Sequence, residues 1–139
     1  MITKPIPYGR QHITDEDIQC VIDALKSDYL TQGPKIKEFE EAFASYVGCK
    51  YAIAVNNATA GLHLAATALD VNLGDKVIVT PLTFAASANC IRFRGGEVVF
   101  CDVEEDTYLM DIKKLSRLLS QSPKGTYKGI VLVDFAGYP

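Results

Sequence analysis

No stretch of the 139 residues is apolar over the roughly 20 positions that a membrane-spanning helix takes. The first seven residues, Met1-Ile2-Thr3-Lys4-Pro5-Ile6-Pro7, lack the apolar core of a signal peptide, so a cytoplasmic chain is the expectation. The net charge of −3 removes the electrostatic basis for binding nucleic acid or an anionic membrane. No two of Cys20, Cys49, Cys90 and Cys101 form a C-x-x-C pair. Three of them sit in or beside apolar segments, which predicts small buried thiols and, in a reducing compartment, no disulfide. Neither G-x-G-x-x-G nor G-x-x-x-x-G-K-[ST] occurs, which counts against a dinucleotide-binding module. The acidic group Asp102, Glu104, Glu105 and Asp106 lacks the Gly and terminal Glu of a calcium loop, so it reads as a solvated loop and no metal is expected. His12 is a lone loop residue, and His63 has no partner in sequence, so it reads as an ordinary helix residue.

What is present is a regular alternation. A composition that is 48% hydrophobic and 22% charged supports an ordinary globular core. Thr14-Asp15-Glu16-Asp17 opens a helix in the manner of a capping box, with Ile18, Val21, Ile22 and Leu25 on one face. Ser27 to Gly33 is a loop. Pro34 starts a second helix with Ile36, Phe39, Phe43 and Val47, stopped by Gly48. Tyr51–Val55, Lys76–Thr80, Glu97–Cys101 and Gly129–Asp134 read as four short strands rich in Val and Ile. Helices are expected after Asn57, over about Ala85–Phe93 up to Gly95-Gly96, and from a cap at Asp111 through Leu119. Strands alternating with helices predict an α/β fold with parallel pairing. The last apolar strand has no covering helix after it, so a longer protein is the expectation.

The chemistry centres on Asn56-Asn57-Ala58-Thr59-Ala60-Gly61, a turn of small residues opening a helix. Unpaired N–H groups and the helix dipole converge there, and the Thr59 hydroxyl adds a donor. Two readings stand for this turn: an anion site for a phosphate, or Asn57 acting only as an N-cap. In an open parallel sheet, ligands bind at the carboxyl ends of strands. Thr83-Phe84 and Asp134 fall at such ends and would add an aromatic plate and a carboxylate, matching a flat phosphorylated heteroaromatic cofactor. The plainer alternatives are a core residue for Phe84 and a turn cap for Asp134.

Several segments in order resemble the DegT/StrS-type sugar aminotransferases. Tyr29-Leu30-Thr31-Gln32-Gly33-Pro34 with Phe39-Glu40 is similar to that family's entry segment. Asn57-Ala58-Thr59-Ala60-Gly61-Leu62-His63-Leu64-Ala65 resembles its small-Thr-Ala-x-Leu-x-Leu element. Gly74 to Pro81 and Thr83 to Asn89 resemble its next strand and turn. Val133-Asp134-Phe135-Ala136-Gly137 is most similar to the branch that makes 4-amino sugars for pseudaminic acid.

The resemblance implies a fold-type I aminotransferase scaffold, with residues 1–48 as an N-terminal helical segment. Residues 49–139 would form the front part of the α/β large domain, with an incomplete sheet. It implies pyridoxal 5′-phosphate, with Ala58 and Thr59 at the phosphate and Phe84 against the ring. It implies a nucleotide sugar held by Tyr8, Asp28, Tyr29, Leu30, Thr31, Asn57 and Asp134, an amino-acid donor, glutamate, and a homodimer when full length. The reaction would aminate C4 of a UDP-4-keto-6-deoxy-N-acetylhexosamine. The lysine that forms a Schiff base with the cofactor is expected beyond Pro139, as is the acid for its ring nitrogen, so no catalytic residue is assigned within the 139. The competing reading is a non-catalytic truncated product or phosphate-ligand binding module.

Overall fold

The computed structural model describes Pro7 and residues 9–139. The chain divides into two compact units, Met1–Ala54 and Val55–Pro139. Tyr8 lies outside the described residues.

In the first unit, α1 (Asp15–Lys26) begins at the predicted capping box. The Thr14 hydroxyl accepts from the Asp17 N–H, and the Asp17 carboxylate accepts from the Thr14 N–H at 2.8 Å. Asp is shorter than the usual Glu at this position and still reaches. These bonds stabilise the charged carboxylate, so the Asp17 pKa lies below its ordinary value. Helix α2 (Pro34–Val47) ends at Gly48, which takes the left-handed conformation of a C-cap. The apolar stripes of both helices are largely exposed, and Ala44 is the one buried side chain of either helix.

Tyr51–Val55 is not a strand, which corrects the sequence reading. Alternating apolar residues make a segment compatible with pairing, but only a ladder partner makes it a strand. Here the Ala54 N–H donates to the Glu40 carboxylate at 2.8 Å rather than to a neighbouring strand.

The second unit is a three-stranded parallel sheet in the order β2-β1-β3. Strand β1 (Lys76–Val79) is central, β2 (Glu97–Phe100) lies on one side and β3 (Tyr127–Val131) on the other. Strand β3 starts two residues before the predicted Gly129, and a bulge shifts its register between Lys76–Tyr127 and Val77–Gly129. Helix α3 (Ala58–Ala68) precedes β1, α4 (Ala86–Arg92) joins β1 to β2, and α5 (Ile112–Ser120) joins β2 to β3.

The two crossovers step in opposite directions across the sheet. Connections of one hand must then place α4 and α5 on opposite faces. Two buried clusters reflect this. Val77 and Val79 pack with Ala66 of α3, Val71, and Cys90 and Ile91 of α4. Ile78 packs on the other face with Cys101 and Met110, against Leu115 and Leu118 of α5. Cys90 and Cys101 are buried as expected, and burial pushes both thiols up in pKa. Cys20, on α1, and Cys49, just beyond the Gly48 cap of α2, are exposed, so two of the thiols are buried rather than the expected three. All four are free thiols.

Candidate cofactor-phosphate site

Helix α3 runs back along the sheet. Its C-terminal end lies at the amino ends of the strands, where Leu69 packs on Gly129 and Val71 on Gly96. Its N-terminus is therefore at the carboxyl end of the sheet. Helix α4 leaves the carboxyl end of β1 and returns, its Ile91 carbonyl accepting from the Gly96 N–H at 3.0 Å. Helices α3 and α4 share one face of the sheet, since both contribute to the same buried cluster. Ala58, Thr59 and Phe84 accordingly lie at one end of one helical layer.

Asn57 caps α3, its carboxamide oxygen accepting from the Ala60 N–H at 2.9 Å. The Gly61 N–H makes the first intrahelical bond, to the Asn57 carbonyl at 3.2 Å. Among the described residues, the amides of Ala58 and Thr59 are left with no protein partner. These are the two residues that the resemblance assigns to a phosphate. The N-cap reading is the one observed: the cap takes the third amide of the helix and leaves the first two without a partner among the described residues. Asn57 and Ala58 are exposed, and Thr59 is half-buried.

Phe84 is 79% exposed, so the plainer expectation of a core residue is overturned. It sits in the turn between β1 and α4. A pair of hydroxyls brackets it, Thr83 Oγ1 and Ser87 Oγ, 2.7 Å apart. Sequence reasoning missed Ser87 altogether. Its only signal was a Ser/Thr pair at i and i+4 astride a helix start, a spacing that side-chain pairing in a first turn allows.

Asp134 follows β3 and leads into a single 3-10 turn, Phe135–Gly137, with its carbonyl accepting from the Gly137 N–H at 2.9 Å. It lines a cavity of about 230 Å³ with Glu104, Met110, Ile112 and Leu132. Met110 belongs to the cluster on the α5 face, the face opposite α3 and α4. Asp28, Tyr29, Leu30 and Thr31 belong to the first unit, in the loop between α1 and α2, and all four are exposed. The Ser27 hydroxyl bonds the carbonyls of Ala24 and Tyr29, and Gln32 has a positive φ of 53°. A Cβ on Gly33 would meet that of Tyr29 at 2.8 Å, so this loop turns too tightly for any residue but glycine there.

No lysine among the described residues is buried, and five are paired with carboxylates: Lys35, Lys37, Lys76, Lys114 and Lys128. Asp102, from the acidic loop, bonds Lys114 at 2.8 Å, which holds its carboxyl below the usual range. His63 is exposed and lies 5.6 Å, ring to ring, from Phe93.

Comparison with known proteins gives a consistent result. The profile of the DegT/DnrJ/EryC1/StrS aminotransferase family matches residues 11–139. The UDP-4-amino-4,6-dideoxy-N-acetyl-beta-L-altrosamine transaminase of Campylobacter jejuni is 44% identical over 133 residues, 95% of this chain and 34% of that protein. Spr1654 of Streptococcus pneumoniae, described as a sugar aminotransferase and solved in a PMP form, superposes with a TM-score of 0.85 at 34% identity, over 97% of this chain and 33% of that one. PseC of Helicobacter pylori, an aminotransferase of pseudaminic acid biosynthesis, superposes with a TM-score of 0.83 at 30% identity, over 98% of this chain and 36% of that one. The chain thus spans about a third of the length of the relatives it matches.

Proposed function

The chain belongs to the DegT/DnrJ/EryC1/StrS aminotransferase family, and from that premise we propose that its second unit carries the phosphate and ring subsites of a pyridoxal 5′-phosphate enzyme. The single observation that carries this reading is the pair of amides at Ala58 and Thr59 that have no partner among the described residues, at the same end of the same layer as the exposed Phe84 ring. The residues fit the cofactor. The two amides and the Thr59 hydroxyl hold its phosphate, and the positive end of α3 favours the charge. Phe84 covers one face of its pyridine ring. Bound there, the cofactor supplies an electron sink that lets a proton leave and return beside the transferred nitrogen. Residues of this chain bind, orient and exclude water. None is assigned the proton transfer, since each described lysine is exposed or half-exposed.

In this reading the complete enzyme moves an amino group from glutamate to C4 of a UDP-4-keto-6-deoxy-N-acetylhexosamine. It works as a cytoplasmic homodimer, and the lysine comes from sequence beyond Pro139. The names of the Campylobacter and Helicobacter relatives support this substrate class. The exposed stripes of α1 and α2 support a subunit contact. No helix among the described residues is long and apolar enough to cross a membrane. Residues 1–48 are the helical entry segment, and 49–139 begin the cofactor domain. The resemblance supports Asn57 and Asp134 of the second unit as nucleotide-sugar residues and, taken separately, Asp28, Tyr29, Leu30 and Thr31 of the first.

The test has two arms. Titration of the 139-residue chain with pyridoxamine 5′-phosphate should give saturable binding that Thr59→Asp weakens at least about tenfold, because a carboxylate then faces the phosphate. Unsaturable binding, or binding indifferent to Thr59→Asp, would refute the phosphate site. The product of the complete coding frame should transfer nitrogen from glutamate to the UDP-4-keto sugar. Binding without transfer by that product would leave the phosphate-ligand module as the correct reading.

A further inference from the structure

An aromatic side chain that is 79% exposed is not aimed by packing around it. Whatever fixes the direction of Phe84 must act through its backbone. The turn that carries it is held at several points. The Thr83 N–H donates to the Pro81 carbonyl at 3.2 Å, and the Ser87 N–H donates to the Phe84 carbonyl at 3.0 Å. Across the same residue, Thr83 Oγ1 and Ser87 Oγ are 2.7 Å apart, one donating to the other. Ser87 is itself buried, and its carbonyl accepts from the Cys90 thiol at 3.2 Å. Cys90 and Ile91 are part of the buried cluster beneath α4. A chain of short contacts therefore links the core to the residue just before Phe84.

We propose that the Thr83–Ser87 hydroxyl pair is a positioning clamp that presents the Phe84 ring to a flat phosphorylated heteroaromatic ligand. The ligand's identity rests on the function proposed above, while the clamp itself rests on the hydrogen bond. Its effect is preorganisation. With Thr83 tied to the first turn of α4, the ring is ordered during folding, and little ordering remains to be done on binding. Thr83 and Ser87 need not touch the ligand.

The experiment uses the 139-residue chain and 4′-deoxypyridoxine 5′-phosphate, which has the ring and phosphate but no group that reacts with lysine. Four variants are compared with the parent: Thr83→Val, Thr83→Ser, Phe84→Ala and the double variant Thr83→Val/Phe84→Ala. Without ligand, Thr83→Val should speed hydrogen exchange at the Ser87 and Ala88 amides by about tenfold, and Thr83→Ser should leave it near the parent value. With ligand, Thr83→Val should weaken binding about five- to tenfold and Thr83→Ser should restore it. The double variant should bind no worse than Phe84→Ala alone, since a residue acting through another contributes nothing once that other is gone. Unchanged exchange in Thr83→Val overturns the clamp. Multiplying losses in the double variant overturn it too, because they mean that Thr83 acts independently of Phe84. If the parent binds no probe, the cofactor reading falls and the exchange result alone judges the clamp.

Discussion

Asn57 finishes α3 and, under the proposed function, borders the phosphate site. Its oxygen takes the third amide of α3 and leaves the amides of Ala58 and Thr59 unpaired among the described residues. Asn57→Ala removes the cap and should lower stability by about 1 kcal/mol in chemical denaturation. Asn57→Asp is the more telling change. It keeps an acceptor for the Ala60 N–H and places a charge that the helix dipole favours, so stability should hold or rise slightly. The same charge repels a phosphate at the two free amides, so affinity for pyridoxamine 5′-phosphate should fall at least about tenfold. Equal affinity in the two proteins would mean that the phosphate binds elsewhere. Side chains differ in how far sequence exposes such roles. Asn before a run of small helix formers reads as a cap because the preference is local. Phe84, set among Leu82, Ala85 and Ala86, reads as core, yet it faces outward. No local preference separates a buried aromatic from an exposed one. Only the position of the turn relative to the core decides it.

At the level of elements, helix boundaries followed from capping chemistry that acts within a few residues. Thr14, Gly48 and Asp111 each stand where the cap was predicted. Strands followed less well, because a strand is a relation between distant segments. Tyr51–Val55 has the pattern and no ladder, and the bulge that moves the start of β3 is invisible without its partner β1. Packing between elements is equally nonlocal, and it makes two glycines unequal. A Cβ on Gly96 would lie 2.8 Å from methyl carbons of both Ile91 and Val71, which are fully buried and cannot yield. A Cβ on Gly129 would meet the Leu69 Cδ2 at 2.7 Å, but that methyl is the far end of a half-exposed side chain that can rotate away. Gly96→Ala should therefore cost about 1–3 kcal/mol through overpacking, and Gly129→Ala clearly less. Equal losses in urea denaturation would mean that α4 can shift away from the sheet.

The largest scale adds what neither residues nor elements reveal, which is how much apolar surface the 139 residues leave in water. Strands β2 and β3 are both edges, each with one side of its backbone unpaired within the sheet. Beside β3, Ile130 and Leu132 are exposed, and so are Ile112 and Leu119 of α5. Ile112 and Leu132 line the same cavity, so these residues are not scattered singly. An unpaired edge next to an apolar patch is a template for further pairing. The isolated chain should therefore associate as its concentration rises, measured by sedimentation, and should enhance the fluorescence of an apolar dye. Leu132→Lys places a charge in the patch while removing little buried contact, since Leu132 is 60% exposed. Association and dye binding should both fall in that variant while the fold is retained. A parent chain that stays monomeric at every concentration, with dye binding equal to that of Leu132→Lys, would show that this surface is stable in water. The patch would then need no partner.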